Sequence, residues 1–412
     1  MSLVKKWNGL NLVLRIGICL VIGVFFGITL PGFKLLDLFG LLFVGALKAI
    51  APILVFLLIL SSFANANSDI GKKFKTVIGL YLFSTLMAAV VAVTADFIFK
   101  PTLVLVKNND IQTTPPAGLW EIFNQLLLNL VDNPVHALST ANYLGILMWS
   151  IVIGLLMNKI CSAETKKIIK DLSNLFAKVI QFIINMAPFG IMGLVFTSVS
   201  KLGVGVFVTY GKLLLILIGC MIVVALIVNP AIVAVMLRMN PYPLVWHCIR
   251  ESGVTAFFTR SSAANIPVNL ELCRRLGLDP DMYSVSIPLG STINMNGAAI
   301  TITTLTLAAA HTLGSDVGLF EALLLSILAT FAACGASGVA GGSLLLIPMA
   351  CGLFGIDPDI AIQVVGVGFI ISFLQDSFET ALNSSGDALF TSASEFYEWK
   401  KQGKKIDFKL SD

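Results

Sequence analysis

FFTRSSAANIP (Phe257 to Pro267) and CGASGVAGGS (Cys334 to Ser343) decide the architecture of this chain. Each is a tip of small residues between apolar arms, and the basic residues of the chain say which way those arms run. Lysine and arginine collect at Lys5/Lys6, at Lys72/Lys73/Lys75, at Lys159/Lys166/Lys167/Lys170, at Arg238/Arg250/Arg274/Arg275, and in the tail from Lys400 to Lys409. Clusters of this kind stay on the cytoplasmic side of a membrane. With all of them placed there, residues 239–275 begin and end inside, and 312–358 begin and end outside. Both segments must turn back. The pattern predicts two re-entrant helical hairpins of opposite orientation, each followed by one long span. Two ordinary kinked helices would break the positive-inside count.

Outward from the hairpins lie eight continuous apolar runs, at roughly 13–33, 39–63, 76–99, 140–157, 173–199, 211–237, 283–310 and 359–390. At 1.5 Å per residue each run is long enough for about 30 Å of hydrocarbon, and unbroken apolarity favours helices over an alternating barrel. The fold class is therefore all-α and polytopic, with eight transmembrane helices, two hairpins and both termini cytoplasmic. The first run, behind Lys5 and Lys6, lacks a small-residue cleavage site and is expected to stay as a helix. Residues 100–118, with Thr114, Pro115 and Pro116, form an outside loop. Segment 119–131 is short and amphipathic, suited to an interface or a broken helix.

Composition agrees. Of 412 residues, 57% are hydrophobic and 12% charged, about half the charge that covers a soluble domain. A water-soluble fold is excluded. The net charge of +4 sits in loops and tails, so a nucleic-acid footprint is missing too. Seven scattered cysteines without a C-x-x-C pair, and three distant histidines, read as small buried side chains and not as a metal or disulfide framework. Gly335-Ala336-Ser337-Gly338 matches the G-x-S-G of intramembrane serine proteases, but no histidine base follows His311.

Two spans carry polar residues at bilayer depth. GSTINMNG (Gly290 to Gly297) places two glycines and two asparagines mid-span, where an unwound stretch would free carbonyl oxygens for a hard cation. Na⁺ is the natural ion where no carboxylate cluster exists. LQDSFETALNSSGD (Leu374 to Asp387) sets Asp376, Thr380, Asn383 and Asp387 at spacings of 4, 3 and 4, on one helical face. A carboxylate inside a membrane is a functional hypothesis by default. Two of them, with Asn and Thr between, offer a counter-ion for an ammonium group and ligands for a cation. Arg260, beside Ser261 and Ser262 at the first tip, is placed to neutralise this stripe or to bind a substrate anion; a snorkelling interfacial charge would do neither.

FTRSSAANIPVN (Phe258 to Asn269), YSVSIPLGSTINMNGAAITIT (Tyr283 to Thr303), CGASGVAGGSLLLIP (Cys334 to Pro348) and LQDSFETALNSS (Leu374 to Ser385) together resemble the dicarboxylate/amino acid:cation symporter family, and most of all its bacterial sodium-coupled serine/threonine branch. The resemblance implies a glutamate-transporter-like, elevator-type homotrimer in a bacterial inner membrane. It implies scaffold helices in 1–70 and 101–205, a moving domain from helix 3 (71–100) and residues 206–395, and a cytoplasmic tail at 396–412. It also implies import of L-serine and L-threonine by symport with Na⁺, without enzymatic chemistry. Site by site, Asp376 would bind the substrate amino group. Thr380, Asn383, Ser261, Ser262 and the backbone near Val339 would hold the carboxylate. One Na⁺ site would use Asp387 with carbonyls of Gly290, Asn294 and Asn383. A second would use carbonyls of Thr292, Ala333, Cys334 and Ala336.

Three departures refine that expectation. Carriers of acidic amino acids place an arginine where this chain has Glu379 and a threonine where it has Ala298. An anionic side chain facing Glu379 would be repelled, so a small hydroxylated neutral amino acid fits better. Asn296 stands where the family's additional Na⁺ site has an aspartate. Tyr81, Ser84 and Thr85 match the other ligand positions of that third site, yet the charge is lost, and fewer coupled ions are expected.

Overall fold

The computed structural model describes residues 10, 12–65, 72–105, 128, 130–140, 142–203, 205–336 and 341–410. Lys5 and Lys6, the loop at Thr114 to Pro116, most of 119–131, and the tip residues Ser337 to Ala340 lie outside them. All described secondary structure is helical. Among the described residues, four helices are long and apolar enough to cross a membrane: Phe74–Phe99, Phe207–Leu237, Pro280–Thr312 and Pro358–Lys401. With several shorter apolar helices beside them, they make the chain an all-α, multi-pass membrane protein.

The first half folds as α1 (Leu12–Thr29), α2 (Lys34–Ala64), α3 (Lys72–Phe99), the short α4 (Pro134–Thr140), α5 (Tyr143–Ile160), α6 (Ala163–Asn185) and α7 (Ala187–Leu202). The run expected as one span at 173–199 is divided at Met186, between α6 and α7. Pro188 sits in the first turn of α7, where its fixed φ suits a helix start and its missing N–H breaks the ladder from behind. α6 starts inside the basic cluster and is amphipathic, with Ile168, Leu175 and Phe182 exposed on its apolar side. α1, α2 and α7 pack tightly. A Cβ on Gly193 would stand 2.3 Å from the Gly40 nitrogen, so α2 and α7 cross backbone to backbone.

The second half begins with α8 (Val206–Val223), a π-helical turn (Val224–Val228) and α9 (Asn229–Leu237). A helix–turn–helix follows, with one arm made of α10 (Tyr242–His247), a π-helical turn (Cys248–Gly253) and α11 (Val254–Thr259), and a returning arm α12 (Ile266–Arg275). Next comes α13 (Pro280–Ile293) and α14 (Asn296–Thr312). A second helix–turn–helix runs out along α15 (Leu319–Ala333) and back through a 3₁₀ turn (Ser343–Leu346) and α16 (Ile347–Gly352). The chain ends in α17 (Pro358–Lys401).

The two hairpins leave by the same device, a repeat absent from the expectations above. Gly277-Leu278-Asp279-Pro280-Asp281 and Gly355-Ile356-Asp357-Pro358-Asp359 stop one helix and start the next. Gly277 (φ 74°) and Gly355 (φ 63°) take the left-handed conformation that closes a helix. Asp279 and Asp357 then cap α13 and α17, accepting from the amides of Asp281 and Asp359 at 3.0 and 2.8 Å, with proline at the first helical position.

α17 has 44 residues, about 66 Å at 1.5 Å each, more than twice the hydrocarbon thickness. The tail expected from 396 is thus helical through Lys401. It also does not hang free, because Phe408 packs on Phe396 with ring centroids 5.3 Å apart. α17 packs along α13, α14 and the first hairpin arm, while α3 packs on α14 and α15. Of the histidines set aside in the sequence, His311 at the end of α14 bonds Asp96 of α3 at 2.7 Å.

Candidate functional site

The break in the seventh apolar run is where the sequence placed it. α13 ends at Ile293, Asn294 (φ −91°, ψ 77°) and Met295 (φ −115°, ψ 53°) are not helical, and α14 starts at Asn296. Every residue of α14 from Asn296 to Ala310 is buried, so the irregular backbone lies inside protein, as non-helical chain at membrane depth requires.

Around this break the side chains of α17 converge. Asn294 spends its amide on two acceptors, the Asn383 carbonyl at 3.0 Å and Asp387 Oδ1 at 2.9 Å. The Gly297 amide, first turn of α14, donates to Asn383 Oδ1 at 2.7 Å. The Gly290 carbonyl accepts from the Asn294 amide at 2.9 Å and keeps a second lone pair. Only glycine fits at 290, since a Cβ would stand 2.8 Å from the Tyr81 hydroxyl and 2.9 Å from Asp387 Oδ1. Asp387 Oδ2 is buried with no hydrogen-bond partner among the described residues. Gly290, Asn294, Asn383 and Asp387 therefore form one oxygen-rich cluster with a carboxylate oxygen unspent, a donor set suited to a hard monovalent cation. Among the described residues no group of three or more His, Cys, Asp or Glu side chains could hold a metal.

Asp376 lies further along α17 and is met from both hairpins. Arg260, at the first turn, brings Nε to 3.8 Å from Asp376 Oδ2, their side chains 11% and 5% exposed. Arg260 holds φ 50° and caps α11 through its amide, which donates to the Ala256 carbonyl at 2.8 Å. From the second turn the Gly341 amide donates to Asp376 Oδ1 at 3.3 Å. Thr380 is buried one turn on and donates to the Asp376 carbonyl at 2.8 Å. Ser262 is buried in the first turn, and Ser261 Oγ accepts from the Ala264 amide at 3.2 Å. Val339 lies outside the described residues.

Cys334 abuts the same break, its thiol 3.7 Å from the Ile293 carbonyl and 3.4 Å from that of Thr330. This brings the end of α15 to the end of α13 at Ile293, the residue after Thr292. The Ala333 carbonyl already accepts from the Ala336 amide at 2.9 Å. Ser84 and Thr85 meet Asn296, and both hydroxyls also lie within reach of the Tyr81 carbonyl, whereas the Tyr81 hydroxyl turns toward α13 and α17. Ser84 and Thr85 hydroxyls lie 3.1 and 3.0 Å from Asn296 Oδ1, while Tyr81 bridges to Thr391 at 2.8 Å.

Glu379 does not stand alone. Its Oε2 accepts from Thr301 Oγ1 at 2.7 Å, Ser343 Oγ at 2.9 Å and Gln375 Nε2 at 2.5 Å. A buried carboxylate needs such donors. Ala298 is buried in the apolar cluster that holds Met295 and Ala333. Several members of the network escaped sequence reasoning. Asn229 accepts from Asn296 Nδ2 at 3.3 Å; an asparagine before Pro230 in an apolar run was its only signal. Asn265 and Asn269 donate to Ser384 Oγ at 2.8 and 3.1 Å, and Asn265 also reaches Ser252 Oγ at 3.0 Å, which ties both arms of the first hairpin to α17.

Comparison with known proteins bears on what this site belongs to. Residues 12–395 match the model of the sodium:dicarboxylate symporter family. The serine/threonine transporter SstT of Bifidobacterium adolescentis is 54% identical over 400 residues, covering 97% of this chain and 93% of that protein. The protein of the same name from Streptococcus thermophilus is 53% identical over 398 residues, covering 97% and 99%. A family match across nearly the whole chain, joined to relatives of this identity and coverage, makes the chain a member of the sodium:dicarboxylate symporter family.

Proposed function

We propose that this protein is a secondary active transporter that imports L-serine and L-threonine by symport with Na⁺ across a bacterial inner membrane. One observation carries the reading: Asp376, inside the membrane, is approached by both hairpin turns, through Arg260 and Gly341. An amino acid is a zwitterion. Its ammonium group would take Asp376, and its carboxylate would take Arg260, Ser261, Ser262 and the amides of the second tip, near Val339. Thr380 and Asn383 would orient it. One ion pair is then exchanged for two, with both hairpins gathered on the substrate.

Asp387, Gly290, Asn294 and Asn383 would hold one Na⁺, and Thr292, Ala333, Cys334 and Ala336 a second one beneath the outer hairpin. Tyr81, Ser84, Thr85 and Asn296 form a weaker third site without formal charge. Glu379 would reject dicarboxylates by like-charge repulsion and accept a hydrogen bond from the hydroxyl of serine or threonine. The names of the two relatives support that substrate class. One ion is enough to concentrate a nutrient. A charge moving through about 100 mV releases about 2.3 kcal/mol, and a tenfold Na⁺ gradient about 1.4 kcal/mol. Together these sustain a gradient of several hundredfold.

The fuller architecture belongs to this proposal: eight transmembrane helices, two re-entrant hairpins, cytoplasmic termini and a homotrimer. Residues 1–70 and 101–205 would be the scaffold, with 71–100 and 206–395 moving as an elevator. The packing of α3 on α14 and α15, and of α1 and α2 on α7, supports that division.

Radiolabelled L-serine uptake into proteoliposomes, with and without an inward Na⁺ gradient, tests the function. Concentrative uptake should collapse once Na⁺ is balanced and the voltage clamped. Uptake of another amino acid or a dicarboxylate in place of serine would overturn the substrate. Ionic current without amino-acid uptake would replace the carrier by a channel.

A further inference from the structure

A cavity of about 300 Å³ opens on the side of the second half, between the π-helical turn after α8, the first arm of the first hairpin, and α17. It lies outside the polar site. Ala225, Gly253 and Ala381 line it, small residues that leave the space. Its rim carries Leu226, Val254 and Phe258, large apolar side chains turned outward, with Phe258 78% exposed. In water such a rim would be unstable; in a bilayer it is ordinary lipid-facing surface.

The same arm supplies the rest of a lipid's chemistry. Arg250 lies one turn before Val254, its side chain 70% exposed. Glu251 beside it is 3.8 Å away but also 3.6 Å from Arg275, so the group as a whole keeps a positive charge. Trp246 and Tyr242 stand exposed further along the arm, the residues that settle at the headgroup level of a membrane. The Tyr242 hydroxyl donates to the Leu226 carbonyl at 3.1 Å, and Pro230, four residues beyond Leu226, has no N–H to compete for it. Tyr242 thereby holds the arm beside the cavity mouth. From Arg250 to Phe258 the arm rises about 12 Å at 1.5 Å per residue, within the roughly 15 Å of one hydrocarbon leaflet.

We propose that this cavity is a binding site for one anionic phospholipid of the surrounding bilayer, with an acyl chain between the π-helical turn and the hairpin arm and the headgroup phosphate at Arg250. The site wedges lipid between the first hairpin and the helix beside it, so occupancy bears on how that hairpin is held against α17.

Native mass spectrometry of the full-length detergent-purified protein, given phosphatidylglycerol or phosphatidylcholine, tests this. The wild type should retain phosphatidylglycerol in preference to phosphatidylcholine, and excess inorganic phosphate should not displace it. Ala225→Phe fills the cavity and should abolish retention. Arg250→Gln, an exposed substitution that leaves the core intact, should weaken phosphatidylglycerol about fivefold, the worth of one basic residue near an anionic surface, and erase the preference between headgroups. Equal retention of both lipids by the wild type, or unchanged retention in Arg250→Gln, overturns the proposal. So does an Ala225→Phe variant that loses its oligomeric mass and no lipid, which would assign the cavity to a second copy of the chain.

Discussion

Asp376→Asn is the substitution with the sharpest expected outcome. The carboxylate stands 3.8 Å from Arg260 Nε, and a substrate ammonium would approach it at a similar distance. At an effective dielectric of about 20, two unit charges so placed attract by about 4 kcal/mol. Desolvating the ammonium takes back part of that, leaving about 2–3 kcal/mol, or a loss of about 30- to 150-fold in serine affinity. The amide removes charge and little volume, so packing is preserved, although Arg260 loses its partner. The assay is calorimetric serine binding at saturating Na⁺, with thermal unfolding of the unliganded protein as the control for fold. Glycerate, which replaces the amine by a hydroxyl, supplies the second arm: the preference for serine over glycerate should shrink by the same factor. Serine affinity within threefold of wild type in a folded variant would remove Asp376 from the amino-group role.

Three other substitutions address the ions and the side-chain pocket. Asp387→Asn keeps an acceptor for Asn294 but removes the charge behind the unpartnered Oδ2; half-saturating Na⁺ for uptake should rise tenfold or more, and an unchanged Na⁺ curve would empty that site. Glu379→Arg breaks the three bonds from Thr301, Ser343 and Gln375, so serine uptake should fall at least tenfold and aspartate uptake appear; competition assays with both amino acids check it, and no change in either refutes the role. Asn296→Asp turns a carboxylate toward Asn229 Oδ1, now 3.3 Å from the amide nitrogen, a repulsion that a cation would relieve. Flux-ratio measurements should then give one more Na⁺ per serine, and an unchanged ratio would show that Tyr81, Ser84 and Thr85 hold no ion.

How much of this was legible depended on the length scale of each signal. The break at Asn294 and Met295 could be read because glycine and asparagine are out of place in an apolar run, and the polar face of α17 because helical spacing is local. The run at 173–199 reads as one span because its apolarity is unbroken, yet Pro188 divides it at Met186. The last span, expected to end at 390, continues in α17 to Lys401, because Thr391, Ser392 and Ser394, polar in the sequence, are buried in the fold. The three donors on Glu379 come from three separate stretches of chain. Gln375 stands one turn before Glu379 on α17, a spacing open to view, but no pattern in sequence announces Thr301 and Ser343, which only folding supplies.

The hydrogen bonds around Asn294 also bear on how an ion gradient can be made to move an amino acid. Asn294 holds the Asn383 carbonyl with the same amide nitrogen that holds Asp387, and Gly297 fixes the other end of Asn383. On the proposed reading, Na⁺ sits against Asp387 and substrate against Asn383, one turn apart on α17. An ion that draws Asp387 toward itself therefore pulls on Asn294 and, along the unwound stretch from Asn294 to Gly297, on the amide that holds the Asn383 side chain, and a substrate that sets Asn383 prepares the ion site in return. Linkage requires the two effects to be equal: if saturating Na⁺ raises serine affinity tenfold, saturating serine must raise Na⁺ affinity tenfold, a coupling of about 1.4 kcal/mol. Asn294→Ala cuts the shared bonds while leaving Asp376 and the charge of Asp387 in place. Both binding curves should survive in that variant, measured separately by calorimetry, while each ligand's effect on the other falls toward one. If the mutual effect persists at full size, coupling runs through the hairpin tips at Arg260 and Gly341 instead, and the broken helix is a binding site alone.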